Sequence, residues 1–263
     1  MTNYDTAILV VSFGTSYNNT RERTIDAIEK DIQTTFENHK IFKAFTSTMI
    51  IKKLKERDNI YIDTVSEALE NIIENNIKNL IIQPTHIING IENDIMLETC
   101  KKYSSHFDSI KIGSPLLTST KDYEDITASL MKEFSSLKKD EALICMGHGT
   151  DHHANSTYAA LDYMFKDKGY PNVFIGTVEA YPTLNTVKRS LKSLQPRKVI
   201  LTPLMVVSGD HATNDMASDE EDSWKTFFEK EGYIVECHLK GLGEYPSIRD
   251  MYIDHITNAT KFK

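Results

Sequence analysis

The chain contains 263 residues, of which 40% are hydrophobic and 26% charged, and its formal net charge at pH 7 is −8. This balance is typical of a globular protein that buries a large core, and no apolar stretch approaches the roughly 20 residues of a membrane-spanning helix. The acidic charge, without a basic stripe, also argues against nucleic acid as the main partner.

Short apolar runs alternate along the chain with longer segments of helical period, which is typical of βαβ units and a parallel sheet. We predict strands at Thr6–Phe13, Ile41–Phe45, Leu80–Gln83, Ser109–Ile112, Ala142–Met146, Val173–Gly176, Lys198–Thr202 and Tyr233–His238. The predicted helices are Thr20–Glu37, Ser66–Asn75, Glu92–Ser104, Tyr123–Ser135, Asn155–Asp167, Thr183–Ser193, Asn214–Glu231 and Pro246–Asn258. The pattern indicates an α/β protein.

The eight predicted strands form two sets of four that resemble each other. Residues 81–90 (IIQPTHIING) match 200–209 (ILTPLMVVSG), with proline and glycine six apart in both, and 11–15 (VSFGT) match 146–150 (MGHGT). We infer an internal duplication into two similar doubly wound domains, residues 1–125 and 126–263. Each is predicted to contain a four-stranded parallel sheet, in the order 2-1-3-4, flanked by helices. The last helix, near 246–258, has the option of packing back on the first domain.

Three good metal ligands follow apolar runs of the second domain: His148, Glu179 and His211. In open parallel sheets, ligands bind outside the carboxyl ends of the strands, and neighbouring strands lie about 4.8 Å apart. Two imidazoles and one carboxylate at such strand ends suit a divalent transition metal and leave coordination positions open for a substrate. The glycines on either side of His148 let backbone and substrate approach closely.

Neighbouring polar residues have simpler interpretations beside the functional one. Asp210, next to His211, is either an acceptor that fixes the imidazole tautomer or a helix N-cap. His152 and His153 are adjacent on a loop and cannot both face one ion easily, so we interpret them as exposed or cleft-lining residues.

The acidic run 219–222 has two interpretations. It could feed metal to the site, but Ser218 with Glu221 has the spacing of a capping box, and acids are favoured in a first helical turn. We therefore favour a solvated helix face.

Four motifs resemble the CbiK family of anaerobic cobalt chelatases, within the class II chelatases: residues 9–16 (LVVSFGTS), 83–90 (QPTHIING), 146–150 (MGHGT) and 209–224 (GDHATNDMASDEEDSW). The resemblance covers essentially the whole chain. It implies two similar α/β halves with a tetrapyrrole in the cleft between them. It also implies that His148, Glu179 and His211 bind the metal and that His148 accepts a proton. The departures from the family pattern, Ala180 for glycine and Ser208 for alanine, exchange one small residue for another.

The implied reaction is the insertion of Co²⁺ into sirohydrochlorin in anaerobic cobalamin biosynthesis. Insertion removes two pyrrole N–H protons, strips water from the metal and deforms the macrocycle. Histidine titrates near neutral pH, so His148, which would hold the ion together with Glu179 and His211, is suited to accept a proton as the metal passes to the ring. No nucleotide, phosphate or hydride motif is present, so cobalt is expected as the substrate metal without a nucleotide or redox cofactor.

The predicted substrate contacts in the first domain are His86, Phe13, Arg21 and Glu92. Sirohydrochlorin carries eight carboxylates, so cations should line its site, and Arg21 follows the first strand's loop. Phe13 and Glu92 align with His148 and His211, which suggests that the first domain grips the macrocycle while the second delivers the ion. His86 has a structural loop histidine as its alternative.

Other activities remain open from the residues alone. The ligand set does not select cobalt, so the same reaction with Fe²⁺ or Ni²⁺ is an alternative, as is a cobalt or tetrapyrrole carrier without turnover. A zinc hydrolase fits the ligands but lacks a clear additional general base.

We predict a cytoplasmic location. The first residues lack the basic region of a secretory signal, and three widely spaced cysteines in apolar surroundings suggest reduced thiols: Cys100, Cys145 and Cys237. No membrane partner is expected, and the oligomeric state is open, with a homo-oligomer as one option.

Overall fold

The computed structural model describes residues 4–263 and divides the chain into two compact units. Unit 1 contains the chain up to Thr118 together with Pro246–Lys263, and unit 2 contains Ser119–Tyr245. None of the helices within the described residues is long and apolar enough to cross a membrane.

Unit 1 is built on one sheet with the strand order β2-β1-β3-β4-β9. The strands are β1 (Thr6–Ser12), β2 (Lys40–Phe45), β3 (Asn79–Pro84), β4 (Ser109–Ile112) and β9 (Thr260–Lys261). The first four are parallel and follow the predicted order 2-1-3-4, with Ala7 opposite Lys40 and Leu80. The prediction of four strands is wrong for this unit, because β9 adds a fifth, antiparallel to β4.

Among the described residues, unit 1 contains six α-helices. They are α1 (Asn18–Arg23), α2 (Ile25–Thr35), α3 (Thr48–Asp58), α4 (Val65–Glu74), α5 (Ile91–Tyr103) and α10 (Pro246–Thr257), with a 3₁₀ turn at Ser104–His106. The single helix predicted over Thr20–Glu37 is interrupted at Thr24, which leaves helical geometry (φ −119°, ψ −82°) and whose hydroxyl donates to the Thr20 carbonyl. Helix α3 was not predicted; Ser47 caps it by accepting the backbone N–H of Ile50.

The core of unit 1 lies between the sheet and its helices. Leu9 and Val11 of β1 and Ile82 of β3 are fully buried against Leu69 of α4 and Met96 of α5. Burying side chains of this kind contributes about 1.5–3 kcal/mol each, so these strands are the stable frame from which the following loops project.

Helix α10 returns to unit 1 at the end of the chain. Its residues Ile248, Met251 and Tyr252 are buried, and the Tyr252 hydroxyl donates to the carbonyl of Thr85 at 2.9 Å. The helix packs on α2 and β3, so unit 1 is assembled from two distant parts of the sequence.

Unit 2 contains one parallel sheet with the strand order β6-β5-β7-β8. The strands are β5 (Glu141–Gly147), β6 (Val173–Thr177), β7 (Lys198–Pro203) and β8 (Ile234–Cys237). The four strands and their order 2-1-3-4 are as predicted and repeat the four parallel strands of unit 1. The chain therefore contains two doubly wound α/β sheets of the same topology.

The helices of unit 2 are α6 (Thr120–Glu133), α7 (Ser156–Asp167), α8 (Leu184–Leu194) and α9 (Trp224–Lys230), with a π-helical turn at Ala212–Met216. The helix predicted over Asn214–Glu231 is wrong, because irregular turns separate the π-helical turn from α9. The capping box predicted for Ser218 and Glu221 is wrong too, since α9 begins at Trp224, where the side chain of Ser223 accepts the backbone N–H of Thr226.

Candidate functional site

The candidate site lies at the carboxyl ends of three neighbouring strands of unit 2. His148 immediately follows β5, Glu179 lies two residues beyond β6, and His211 follows β7 after a loop of seven residues. Strand β5 lies between β6 and β7 in the sheet, so its loop is flanked by the other two.

The loop after β5 depends on two glycines. A side chain at Gly147 would place Cβ 2.4 Å from the ring of Tyr158, and one at Gly149 would place it 2.8 Å from the backbone nitrogen of Ala180. Gly149 also has φ +87°, which L-residues rarely adopt. Burial raises the pKa of the Tyr158 phenol, an effect that the backbone N–H groups of Gly149 and His148 oppose.

The loop after β6 is held to the loop after β5 by backbone hydrogen bonds. The N–H of Val178 donates to the carbonyl of Gly147 at 3.0 Å, and the N–H of Glu179 donates to the carbonyl of His148 at 2.9 Å. A turn is closed behind them where the N–H of Thr177 donates to the carbonyl of Pro182. The strand pairing thus continues beyond the sheet and places Glu179 beside His148.

The side chain of Asn155 joins the same two loops from the other direction. Its Oδ1 accepts the backbone N–H of Thr150 at 3.0 Å, and its Nδ2 donates to the carbonyl of Tyr181 at 2.6 Å. Because one carboxamide bridges both loops, Asn155 restrains the separation of His148 and Glu179.

His211 precedes the π-helical turn Ala212–Met216. Ala212 and Met216 are fully buried in the core of unit 2, which anchors the turn to the sheet. The Nδ1 of His211 lies 2.5 Å from Oδ2 of Asp215. Departures from α-helical geometry of this kind occur frequently at functional sites.

The three side chains are brought together with open access. Each of His148, Glu179 and His211 offers one ligand atom, and these three atoms lie within 4.8 Å of one another. No other such group of three occurs in the part of the chain that the structure describes. Nδ1 of His148 lies 3.6 Å from Oε2 of Glu179, and the two imidazole rings meet edge to face with centroids 4.6 Å apart. The side chains are 45%, 55% and 35% exposed in that order, so an incoming ion could reach them.

The flanking residues singled out in the sequence have local partners. His152 accepts the backbone N–H of Ala154 through Nδ1 and stacks on His153. Asp210 accepts the side chain of Asn214 at 3.1 Å, whereas Asp215 contacts the imidazole of His211. The acid beside His211 in sequence is therefore not the one on its ring.

The four predicted substrate contacts lie in unit 1 and differ in exposure. Phe13 directly follows β1 and is 49% exposed, and Glu92 is half-buried in the first turn of α5. Arg21 is buried. Its Nη1 donates to Oδ1 of Asn18 at 3.1 Å, and its Nε lies 3.5 Å from a carboxylate oxygen of Asp26. Its guanidinium is thus engaged within the unit.

His86 is buried in the loop after β3. Neither ring nitrogen has a hydrogen-bond partner among the described residues, and Oδ1 of the buried Asn93 lacks one as well. Burial lowers the pKa of His86 to about 4, an effect that the nearby Asn93 side chain partly opposes. The imidazole is therefore neutral at physiological pH.

Sequence reasoning missed two residues that hold the site together, Asn155 and Asp215. Asp215 carried a usable signal, because an acid four residues after a histidine on a helical turn lies on the same face. Asn155 carried none, since its two partners are backbone groups in separate loops, at Thr150 and at Tyr181.

The fold is shared with a solved structure of low sequence identity. SirB from Bacillus subtilis, solved with Fe³⁺, has a TM-score of 0.65 at 11% identity, covering 97% of this chain and 95% of SirB. The similarity shows a common fold, and the molecule is an α/β protein of the chelatase-like class.

The sequence comparisons define the family. A family model described as "Cobalt chelatase (CbiK)" matches residues 6–261. The chain is 42% identical over 253 residues to the sirohydrochlorin cobaltochelatase of Salmonella typhimurium, covering 96% of both. It is 32% identical over 255 residues to the sirohydrochlorin cobaltochelatase CbiKC of Nitratidesulfovibrio vulgaris, covering 96% of this chain and 89% of that protein. The chain belongs to the CbiK cobalt chelatase family.

Proposed function

We propose that this protein inserts Co²⁺ into sirohydrochlorin, with His148, Glu179 and His211 holding the ion before transfer. The observation that carries the proposal is the convergence of two imidazoles and one carboxylate within 4.8 Å, in a chain of the cobalt chelatase family. Three protein ligands leave coordination positions open, as transfer of the ion to a macrocycle requires.

The bonds broken and formed in metal insertion determine what the side chains must do. Two pyrrole N–H bonds break, two protons leave, and the ring nitrogens become ligands of Co²⁺. His148 accepts one of these protons on Nε2 once the ion has passed to the ring, solvent water takes up the other, and Glu179 keeps a negative charge beside the ion. Cobalt is the substrate metal, and no nucleotide or redox cofactor is required by this balance.

The Nδ1 atom of His148 already has a hydrogen-bond partner. Nδ1 lies 2.9 Å from the carbonyl oxygen of Gly149, and a carbonyl can only accept a hydrogen bond, so Nδ1 carries the proton. This leaves the lone pair on Nε2 for the ion or for an incoming proton.

For the macrocycle itself, we propose contacts by Phe13, His86, Arg21 and Glu92 of unit 1. The exposed ring of Phe13 supports stacking on a planar ligand. Arg21 would have to exchange Asn18 and Asp26 for a substrate carboxylate, so its contribution requires a rearrangement. We further propose a cytoplasmic enzyme, as the sequence predicts; the homo-oligomer stays an open option.

The test is an anaerobic insertion assay with metal-free sirohydrochlorin, followed by its visible absorption. We expect Co²⁺ insertion well above the uncatalysed rate, and loss of most of it in His148→Ala and His211→Ala. A matched control is His106→Ala, which changes a histidine of unit 1 outside the predicted site.

Parallel assays with Fe²⁺ and Ni²⁺ separate the remaining alternatives, because the ligand set alone does not select the metal. A higher kcat/KM with either metal would overturn the cobalt assignment. Tight Co²⁺ binding without any acceleration of insertion would instead identify a carrier.

A further inference from the structure

Asp215 provides His211 with a carboxylate partner on the side of the ring away from Nε2. Oδ2 of Asp215 lies 2.5 Å from Nδ1 of His211, a short charge-assisted contact between residues four apart. The contact is partly shielded, since the two side chains are 35% and 43% exposed.

The π-helical turn determines which acid reaches the ring. Ala212 and Met216 face the core, and the N–H of Thr213 donates to the carbonyl of Gly209 at 3.0 Å, so the turn is fixed at its start and its end. Asp210 is bound by Asn214 at 3.1 Å, which leaves Asp215 as the acid on Nδ1 of His211.

A neutral imidazole carries one proton, and its position decides which nitrogen can bind a metal. A carboxylate accepts a hydrogen bond, so Asp215 holds the proton of His211 on Nδ1 and leaves the lone pair on Nε2. A carboxylate also makes the imidazole a more basic ligand than a neutral carbonyl does. His148 has the weaker arrangement, with the Gly149 carbonyl on its Nδ1.

We propose that Asp215 is a positioning residue for metal binding, which fixes the tautomer and orientation of His211 and strengthens its bond to a divalent transition metal ion. The inference rests on the proposed function of His211 as a metal ligand. It assigns the two imidazoles different strengths: His211 is the firmer ligand, and His148 is the one released more easily for proton transfer.

The first test is a titration of the full-length protein with Co²⁺ alone, followed by the visible d–d bands of the bound ion. We expect Asp215→Ala to raise the Kd for Co²⁺ by about 10- to 100-fold, the usual effect of removing a carboxylate behind a metal-bound histidine. Asp215→Asn keeps an oxygen acceptor without the charge and should fall between the wild type and Asp215→Ala. In turnover, KM for Co²⁺ should rise more than kcat falls.

The matched control is Asp219→Asn. Asp219 lies four residues further along, is highly exposed and pairs with Lys225 rather than with a histidine. Its removal changes the net charge by the same amount, and we expect the Kd for Co²⁺ to stay within about twofold, because an exposed charge paired with Lys225 is largely screened by solvent.

A second readout reports the tautomer directly. In the metal-free protein, long-range ¹H–¹⁵N correlation spectra should show His211 protonated at Nδ1 in the wild type and a mixture of tautomers in Asp215→Ala. A folded Asp215→Ala variant with wild-type Kd, KM and tautomer would overturn the inference, and so would an equal loss of affinity in Asp219→Asn. If His211→Ala itself binds Co²⁺ like the wild type, the proposed metal site fails instead.

Discussion

The loops after the first strand of each sheet share a backbone and differ in chemistry. Gly14 has φ +104° and Gly149 has φ +87°. An added Cβ would collide with the ring of Phe45, at the end of β2, in unit 1 and with Ala180, in the loop after β6, in unit 2. The residue before each glycine projects from the sheet edge, and it is Phe13 in unit 1 and His148 in unit 2. The two loops therefore differ in chemistry at this one position, which carries an aromatic ring in unit 1 and a proposed metal ligand in unit 2.

The segments after the third strand differ more deeply. In unit 1, α5 starts directly after Gly90 and runs regularly to Tyr103, with Glu92 in its first turn. In unit 2, the corresponding glycine leads through His211 into a π-helical turn that contains Asp215, and the next α-helix begins at Trp224. The duplicated topology therefore supplies equivalent positions in the two units, while the proposed metal binding depends on the side chains at those positions and on local departures from regular helix.

We expect the largest effect when the loop after β5 in unit 2 receives the aromatic side chain of the equivalent loop in unit 1. His148→Phe removes a proposed ligand and the proposed proton acceptor together, so we expect kcat/KM for Co²⁺ insertion to fall by about 10³-fold or more. The anaerobic assay measures it, with circular dichroism as the check on folding. Activity within tenfold of the wild type would contradict the assignment.

The reciprocal substitution, Phe13→His, is the control for this swap. It puts an imidazole on the equivalent loop of unit 1, but the counterpart of His211 there is Glu92. We expect calorimetric titration to show one Co²⁺ per chain both in Phe13→His and in the wild type. A second ion bound with similar affinity would show that the common loop, rather than the ligand set, decides metal binding.

The second prediction concerns the buried imidazole of unit 1. The unfolded chain takes up a proton on His86 below about pH 6.5, whereas burial holds its folded pKa at about 4. Stability from this group is therefore complete above pH 6.5 and is lost as the pH falls towards 4, by at most about 3 kcal/mol.

Urea unfolding of the wild type and His86→Leu at pH 4.5 and pH 7 measures this loss. Leucine fills this buried position without a titrating group, so the variant should lose less stability between the two pH values. Equal pH dependence in both proteins would show that His86 accepts its proton in the folded state.

The third prediction tests the common loop backbone. In Gly149→Ala, the alanine must adopt a left-handed φ, which costs about 1–2 kcal/mol, and its Cβ collides with the backbone of Ala180. Gly169 has the same φ, +87°, with nothing within 4 Å of an added Cβ. We expect Gly149→Ala to lower the free energy of unfolding by about 2 kcal/mol more than Gly169→Ala, measured by urea denaturation.

The smallest expected effect is at Asn155. Removing its carboxamide in Asn155→Ala leaves the Thr150 N–H and the Tyr181 carbonyl without their partner, at about 1 kcal/mol each or less because both are near solvent. Titration should show a few-fold higher Kd for Co²⁺, since the loops of His148 and Glu179 are no longer bridged. An unchanged Kd would mean that the backbone hydrogen bonds alone keep the two ligands together.

Most of the fold could be predicted because the buried strands are continuous apolar runs separated by amphipathic helices. The elements that were missed lack that signal. Strand β9 has two exposed residues, and α3 buries only Leu54, so neither shows a clear apolar period. The segment between Met216 and Trp224 forms turns, in which the hydroxyls of Ser218 and Ser223 donate to the carbonyls of Asn214 and Ser218.

The site was predictable to the extent that its residues follow strands. His148 and Glu179 lie within two residues of a strand end, where topology alone makes them neighbours. The partners of those residues were not predictable in this way. The choice of Asp215 over Asp210 depends on a π-helical turn, and Arg21 pairs with Asp26 across the break at Thr24.

The return of α10 to unit 1 has a consequence for biosynthesis. Residues 119–245 leave the ribosome as one continuous segment, so unit 2 has its full set of core residues before translation ends. Unit 1 must wait for Ile248, Met251 and Tyr252, which complete its interior. Although domains generally fold in the order of their synthesis, here the half that is translated first is finished last.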